Sequence, residues 1–229
     1  LRLGEQHVGI QGIGYAQLVS GRDLARHLTT IRQEGFPNFA LNPPGERSVY
    51  SSIIFVEPFD ERNRLAFGYD MLTEPTRRAA MEHARDSGQP AMSGKLHLVQ
   101  DNGQKDQAGF LMYLPIYLNG SPGDTVEERR TNTQGWIYAA FRMNDVMHEL
   151  LEQQTLDMDV EVFDGQTATP ETLMYDSDGQ LSVNALEQGK YVATRTLRID
   201  GHDWSIRQTS QPSFEAQLDT GRTGNIRIA

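Results

Sequence analysis

The residues best placed to do chemistry cluster between Tyr50 and Tyr117. Asp70 follows a short strand pattern (Gly68-Tyr69-Asp70-Met71) and precedes a proline-started helix, so its carboxylate opens where strand gives way to helix N-terminus. An acceptor at the mouth of an apolar cup orients a polar small molecule, because a few polar atoms in a hydrophobic pocket set specificity. The same aspartate also suits a turn, where it caps a nearby amide. Leu111 and Tyr113 share one strand face by the period-two rule. Met92 follows the helix and offers an adaptable apolar side chain, equally a pocket wall and a gap-filler.

Other constellations are weaker. Asp157, Asp159 and Glu161 alternate along one strand, an arrangement that attracts a divalent cation but lacks the glycine and glutamate spacing of an EF-hand loop, so a solvated strand face is the preferred reading. The six histidines are scattered, with no H-E-x-x-H pair; no G-x-S-x-G elbow and no P-loop occur, and Gly12-x-Gly14 lacks the third glycine of a dinucleotide site. No catalytic residue, metal ligand or cofactor is assigned. Glu57-Pro58 reads as a strand stop, and Arg77-Arg78 as surface arginines reaching Glu74 or Glu82.

The elements that position these residues are legible from periodicity. Leu24, Leu28 and Ile31 have helical spacing, with Gly35 closing the helix. Val49–Val56 reads as a buried strand, and Arg64–Tyr69 as a second, short one. Thr73 is the expected N-cap of a helix carrying Pro75 in its first turn and ending at Gly88. Its stripe of Arg77, Ala80, Met81 and Ala84 is small enough to lie close to a sheet. Lys95–Gln100 alternates like a half-buried strand, Asp101-Asn102-Gly103 signals a turn, and Gly109–Tyr117 is a buried strand. Leu118–Gln134 reads as a loop, Gly135–Phe141 as a strand, and Asn144–Leu151 as a helix. Shorter strands follow near Asp157–Phe163, Thr172–Tyr175, Tyr191–Ile199 and Trp204–Gln208, with Asp-Gly turns between them.

The 229 residues hold one large or two small domains, and the chosen boundary lies near Met143, giving 1–143 and 144–229. A formal net charge of −10, with no basic stripe, argues against a nucleic-acid partner. Cysteine is absent, which excludes disulfides, thiolate zinc and thiol catalysis. No apolar run approaches the roughly 20 residues of a membrane-crossing helix.

The ordered strings YSSIIFVEPFDERNRLAFGYDM, EPTRRAAMEHARDSGQPAM and GFLMYLPIY, preceded by Gly9–Ala16 and RQEGFPNF and followed by Thr125–Arg129 and GWIYAAFR, closely resemble the CHASE domain. That resemblance implies an α+β fold of two tandem PAS-like lobes, antiparallel sheets with flanking helices, whose upstream long helix is missing or truncated here. It implies a periplasmic or extracellular sensory domain of an inner-membrane receptor, tethered by flanking transmembrane helices outside this chain. A homodimeric full-length receptor is expected, with a histidine kinase or a cyclic-di-GMP-making or -degrading output. In the cytokinin-binding plant members an aspartate matching Asp70 receives the purine's hydrogen bonds. Met92 matches an apolar pocket position, Tyr113 the pocket floor, and Ala139 and Ala140 the small residues that leave room for the ring. Tyr113 departs from the plant pattern, which carries a much smaller residue there. The implied ligand set is Asp70, Met92, Leu111, Tyr113 and Ala139, and a dimerisation or protein-interaction module without a small molecule is the alternative.

Overall fold

The structure, a computed structural model, describes residues 9–101, 107–151, 158–179, 190–216 and 218. The predicted Asn102-Gly103 turn and Asp157 lie outside the described residues. The chain divides into two compact units, Leu1–Val146 with Asp200–His202, and Met147–Ile199 with Asp203–Ala229. The fold is α+β, with two antiparallel sheets and flanking helices.

The first unit is built on five strands: β1 (Ile10–Ser20), β2 (Val49–Glu57), β3 (Ala91–Met92), β4 (Gly109–Tyr117) and β5 (Thr133–Arg142), in the order β2-β1-β5-β4-β3. Side-chain alternation splits this sheet into two faces. Ala16, Trp136, Tyr138, Leu111 and Tyr113 point to one face and are almost wholly buried. Helix α2 (Pro75–Ser87) covers that face through Ala80, Met81 and Ala84, whose small volumes let it approach closely. Trp136 Nε1 donates to the Met81 carbonyl at 2.9 Å, pinning the helix to β5. On the other face, helix α1 (Leu24–Gln33) buries His27 and Ile31, and His27 Nε2 lies 2.9 Å from Ser52 Oγ on β2.

Helix α2 begins one residue later than Thr73 would start it. Glu74 is the N-cap, its two carboxylate oxygens accepting the Thr76 and Arg77 N–H groups at 2.9 Å each, and Pro75 takes the first helical position, where no N–H is needed. Gly88 closes the helix at φ 73°, as expected of a left-handed C-cap.

Three expectations are corrected. Arg64–Tyr69 is not a strand: Asn63–Ala66 forms a 3-10 turn, because Asp60 caps the Asn63 N–H and the Asn63 amide is held by the Gln11 and Pro58 carbonyls. Only Tyr69 and Asp70 reach isolated bridges, to Asn42 and Ser52. Lys95–Gln100 contributes a single bridge, Leu96 to Gly109, before a 3-10 turn at Val99–Asp101; the two buried leucines, Leu96 and Leu98, mimic strand alternation. The loop Leu118–Gln134 contains helix α3 (Val126–Asn132), nucleated by a Thr125–Glu128 capping box.

Helix α4 (Met143–Leu151) follows β5. The second unit's sheet is β6 (Met158–Asp164), β7 (Leu173–Asp176), β8 (Val192–Ile199) and β9 (His202–Ser210), in the order β7-β6-β9-β8. Asp200 and Gly201 turn β8 into β9 with φ values of 44° and 80°, the paired left-handed geometry of a two-residue hairpin. No helix among the described residues is long and apolar enough to cross a membrane.

Candidate functional site

The cup between α2 and the first sheet is where the sequence places its ligand set, and the structure puts two of those five residues, Leu111 and Tyr113, on its α2 face. Leu111 and Tyr113 lie on the α2 face of β4, and Asp70 ends the segment packed against β2. Met92 and Ala139 do not share that face. On β3 it is Ala91 that pairs with Tyr113 and joins the core, while Met92 pairs with Met112. Ala139 sits between buried Tyr138 and Ala140, and its neighbour of like facing, Ile137, is 41% exposed. A strand shows alternate residues to opposite faces, so a one-residue offset in a family match exchanges cup for outer surface; Ala140 is the alanine facing α2.

The cup itself is closed. Its remaining cavity is about 10 Å³, lined by Ile53, Ala66, Met71, Arg77, Leu111 and Tyr138 among others. That is about the room one water molecule needs. Tyr113 is fully buried. Burial raises the Tyr113 phenol well above its ordinary range, and burial does the same to Tyr138, its cross-strand neighbour. Neither hydroxyl has a hydrogen-bond partner among the described residues. The Tyr138 ring reaches over β1 because residue 14 is glycine; a Cβ there would lie 2.5 Å from the tyrosine oxygen.

Arg77 is not a surface arginine. It is 4% exposed and lines the cavity, donating to the His97 carbonyl at 2.8 Å and to Glu74 Oε2 at 3.3 Å, with its guanidinium 5.3 Å from the Tyr69 ring centre. The helical spacing Arg77-Ala80-Met81-Ala84 carried this information, since one stripe of α2 contains all four.

Asp70 is fully buried and works as a cap. Its Oδ1 accepts the Ser51 N–H at 2.9 Å, the Ser51 hydroxyl at 3.2 Å and the Leu72 N–H at 3.2 Å. Its Oδ2 has no hydrogen bond among the described residues and lies 3.4 Å from Arg47 Nη1. Asp70 is absent from the cavity lining.

Two further charged clusters lie apart from the cup, and the first carries no signal in the sequence pattern. Asp101, 6% exposed, accepts from Arg62 Nη2 at 2.6 Å and from Arg142 Nη2; desolvation by burial raises its carboxyl above the usual range despite Arg62. Arg62 continues to Gln11 at 2.9 Å, and Gln11 to Asp145 at 2.8 Å. In the second unit Glu161 is buried, not solvated, and accepts from Arg207 Nε and Nη2 at 2.5 Å each. Asp159, Asp176 and Asp178 bring carboxylate oxygens within 4.8 Å of one another. Asp176 Oδ1 is taken by the N–H groups of Asp178 and Gly179, and Asp159 accepts from Ser177 Oγ at 2.6 Å.

Comparison with known proteins gives the family: residues 1–175 match the CHASE domain, and the chain belongs to that family. It is an extracytoplasmic sensory domain. It is also 25% identical over 227 aligned residues to hybrid signal transduction histidine kinase A of Dictyostelium discoideum, covering 86% of this chain and 10% of that protein. The chain thus spans about a tenth of the length of that relative. Among solved structures, the periplasmic sensory domain of the Campylobacter jejuni chemoreceptor Tlp1 aligns with a TM-score of 0.48 at 11% identity, over 89% of this chain and 73% of that one. An extracellular ligand binding receptor from Desulfohalobium retbaense aligns with a TM-score of 0.43 at 12% identity, over 69% and 28%.

Proposed function

We propose that this chain receives a small-molecule signal for a transmembrane receptor whose cytoplasmic output is a histidine kinase, and that the ligand enters the cup of the first unit. The relationship to a hybrid histidine kinase supports the output; a cyclic-di-GMP-metabolising enzyme is the other output of this reading. The first unit acts as the membrane-distal lobe and the second as the membrane-proximal one, in a homodimer tethered by flanking membrane helices.

The observation that carries the ligand reading is the cross-strand pair of buried phenols, Tyr113 and Tyr138, whose hydroxyls lack partners among the described residues, with Tyr138 lining the Arg77 cavity. A buried hydroxyl without a partner costs about 1–3 kcal/mol. A polar ligand atom supplies the missing bond, so the unliganded cup is the less satisfied state. Because the cavity holds only about 10 Å³, entry of anything larger than water displaces α2 or the Tyr113 ring. Binding and conformational change are then one event, which is the differential affinity a receptor needs to transmit anything. An adenine-type purine is disfavoured as the occupant, since Tyr113 fills the floor and Asp70 is committed to Ser51 and Leu72.

The same tight packing favours a second reading, a dimerisation or protein-interaction module that binds no small molecule. A thermal-shift screen of the purified chain against metabolites, purines included, separates the two when run beside Tyr113→Phe and Tyr138→Phe. A ligand at 100 times its Kd adds about 2.7 kcal/mol, and under the first reading this gain shrinks in the phenylalanine variants. A flat screen with folded protein sinks the first reading in favour of the second.

A further inference from the structure

A second hollow, with no residue in common with the cup, lies at the edge of the first unit. Its volume is about 490 Å³, within the range of roughly 300–1,000 Å³ typical of small-molecule sites. Three separate segments build it: the loop after α1 supplies Phe36 and Phe39, the turn after β2 supplies Phe59, and the 3-10 turn and its exit supply Arg64 and Phe67. Phe67 is the hub, its ring centre 4.8 Å from Phe36, 4.9 Å from Phe39 and 5.4 Å from Phe59. None of these rings belongs to the main core. Phe36 and Phe59 each stay 37% exposed at the mouth, although neighbouring side chains bury comparable rings elsewhere in the unit.

The charge at this hollow decides what it takes. Arg64 is exposed, lays its guanidinium 5.1 Å from the Phe59 ring centre, and forms no ion pair with a carboxylate among the described residues. Two acids precede it on that turn: Glu61 is exposed and forms no ion pair with Arg64, and Asp60 accepts the Asn63 N–H at 2.8 Å. An aromatic cage ordinarily favours a cation, but here the Phe59 face already carries one, which repels another. What the arrangement lacks is a flat apolar body to lie among the rings and an anion to meet the planar, forked guanidinium.

We propose that this hollow is a binding site for small aromatic carboxylates, the ring seated against Phe36, Phe59 and Phe67 and the carboxylate paired with Arg64. The site is independent of the cup and stands whether or not the cup admits a ligand.

Isothermal titration of the chain with 1-naphthoate, its neutral analogue 1-naphthalenemethanol and its cationic analogue 1-naphthylmethylammonium tests this. Naphthoate should bind tightest. Arg64→Gln should weaken naphthoate about tenfold or more, the loss expected of a charge-assisted hydrogen bond, while leaving naphthalenemethanol unchanged. Phe36→Ser, at an exposed ring, should weaken both. Tyr113→Phe and Tyr138→Phe should change neither; loss confined to those two variants would put the ligand in the cup and overturn the proposal. So would tightest binding of the cation, binding indifferent to Arg64→Gln and Phe36→Ser, or no heat with naphthoate at millimolar concentration. A dimer that Phe36→Ser dissociates, with no naphthoate bound, would assign the hollow to a second copy of the chain and likewise overturn it.

Discussion

Asp70 and Ser51 hold each other through both the backbone and the side chain of the serine: one carboxylate oxygen accepts the Ser51 N–H at 2.9 Å and its hydroxyl at 3.2 Å. The Ser51 hydroxyl oxygen in turn accepts the Leu72 N–H at 3.1 Å, which also points at Asp70. A buried carboxylate therefore fastens the turn before α2 onto the middle of β2.

Removing that fastener should be costly. Asp70→Ala leaves the Ser51 N–H without its acceptor, the Leu72 N–H with Ser51 Oγ alone and the partly buried Arg47 without its counter-charge, and is expected to lower the unfolding free energy by about 3 kcal/mol. Asp70→Asn keeps an acceptor at the same place and should fall between it and wild type. Urea melts measure both; an alanine variant as stable as wild type would remove Asp70 from the structural role described.

Tyr113 separates shape from polarity. Tyr113→Phe deletes a hydroxyl that has no partner and should leave stability equal or up to about 1 kcal/mol higher. Tyr113→Thr empties the ring volume and should cost about 3 kcal/mol through the cavity it leaves. A clear loss in the phenylalanine variant by denaturant titration would mean that the hydroxyl is bonded in solution.

Asp86 gives the first unit an acid-sensitive clasp. Its carboxylate pairs with Arg130 on α3 at 2.5 Å and with Arg85 at 2.7 Å, and the Arg130 hydrogen bond, followed by those of Arg85, holds its pKa well below the usual carboxylate range. The folded pKa is depressed, so the stabilisation is present above the unfolded value of about 3.9 and lost as pH falls below it. Melting temperatures of wild type and Asp86→Asn should differ at pH 7 and converge toward pH 2.5. A constant difference across that range would exclude Asp86 as the source.

The second unit carries the opposite sign. Desolvation, with Asp159 nearby as a like charge, raises the Asp176 carboxyl above its ordinary value. Such a group destabilises the fold once pH climbs past the unfolded pKa. Asp176→Asn preserves the acceptor for Asp178 and Gly179 and gives Asp159 a donor in place of a charge. It should raise the second unit's melting temperature at pH 7, with the gain shrinking as pH drops through the carboxylate range. A fall in melting temperature at pH 7 would show that the charge is needed.

Sequence periodicity located the elements that bury a full face. β2, β5 and α2 are read nearly to the residue because their apolar runs and the Gly88 stop are local signals. It failed where side chains bond the backbone over a distance. The Asn63 amide, reaching Gln11 and Pro58, makes a 3-10 turn of a segment with strand composition, and no single-chain pattern announces that contact. α3 was legible, since Thr125-Val126-Glu127-Glu128 is a capping box, but its polar surroundings concealed it. At the cup the residue types were recognised and their facing was not. Met92 and Ala139 face away from α2 while Ala91 and Ala140 face it, a difference hidden in the pattern because β3 is only two residues long and β5 offers adjacent alanines. Phe36, Phe59 and Phe67 were unreadable as a group, being far apart in the chain and joined only by the turns that fold them together.

The bond from the Trp136 indole to the Met81 carbonyl also makes the chain its own optical instrument. The sequence contains two tryptophans, Trp136 in the first unit and Trp204 in the second. Trp204→Phe would leave a single emitter whose spectrum reads the docking of α2 on β5. A red shift on adding a compound would then register the helix lifting from the sheet, in real time and without any attached label.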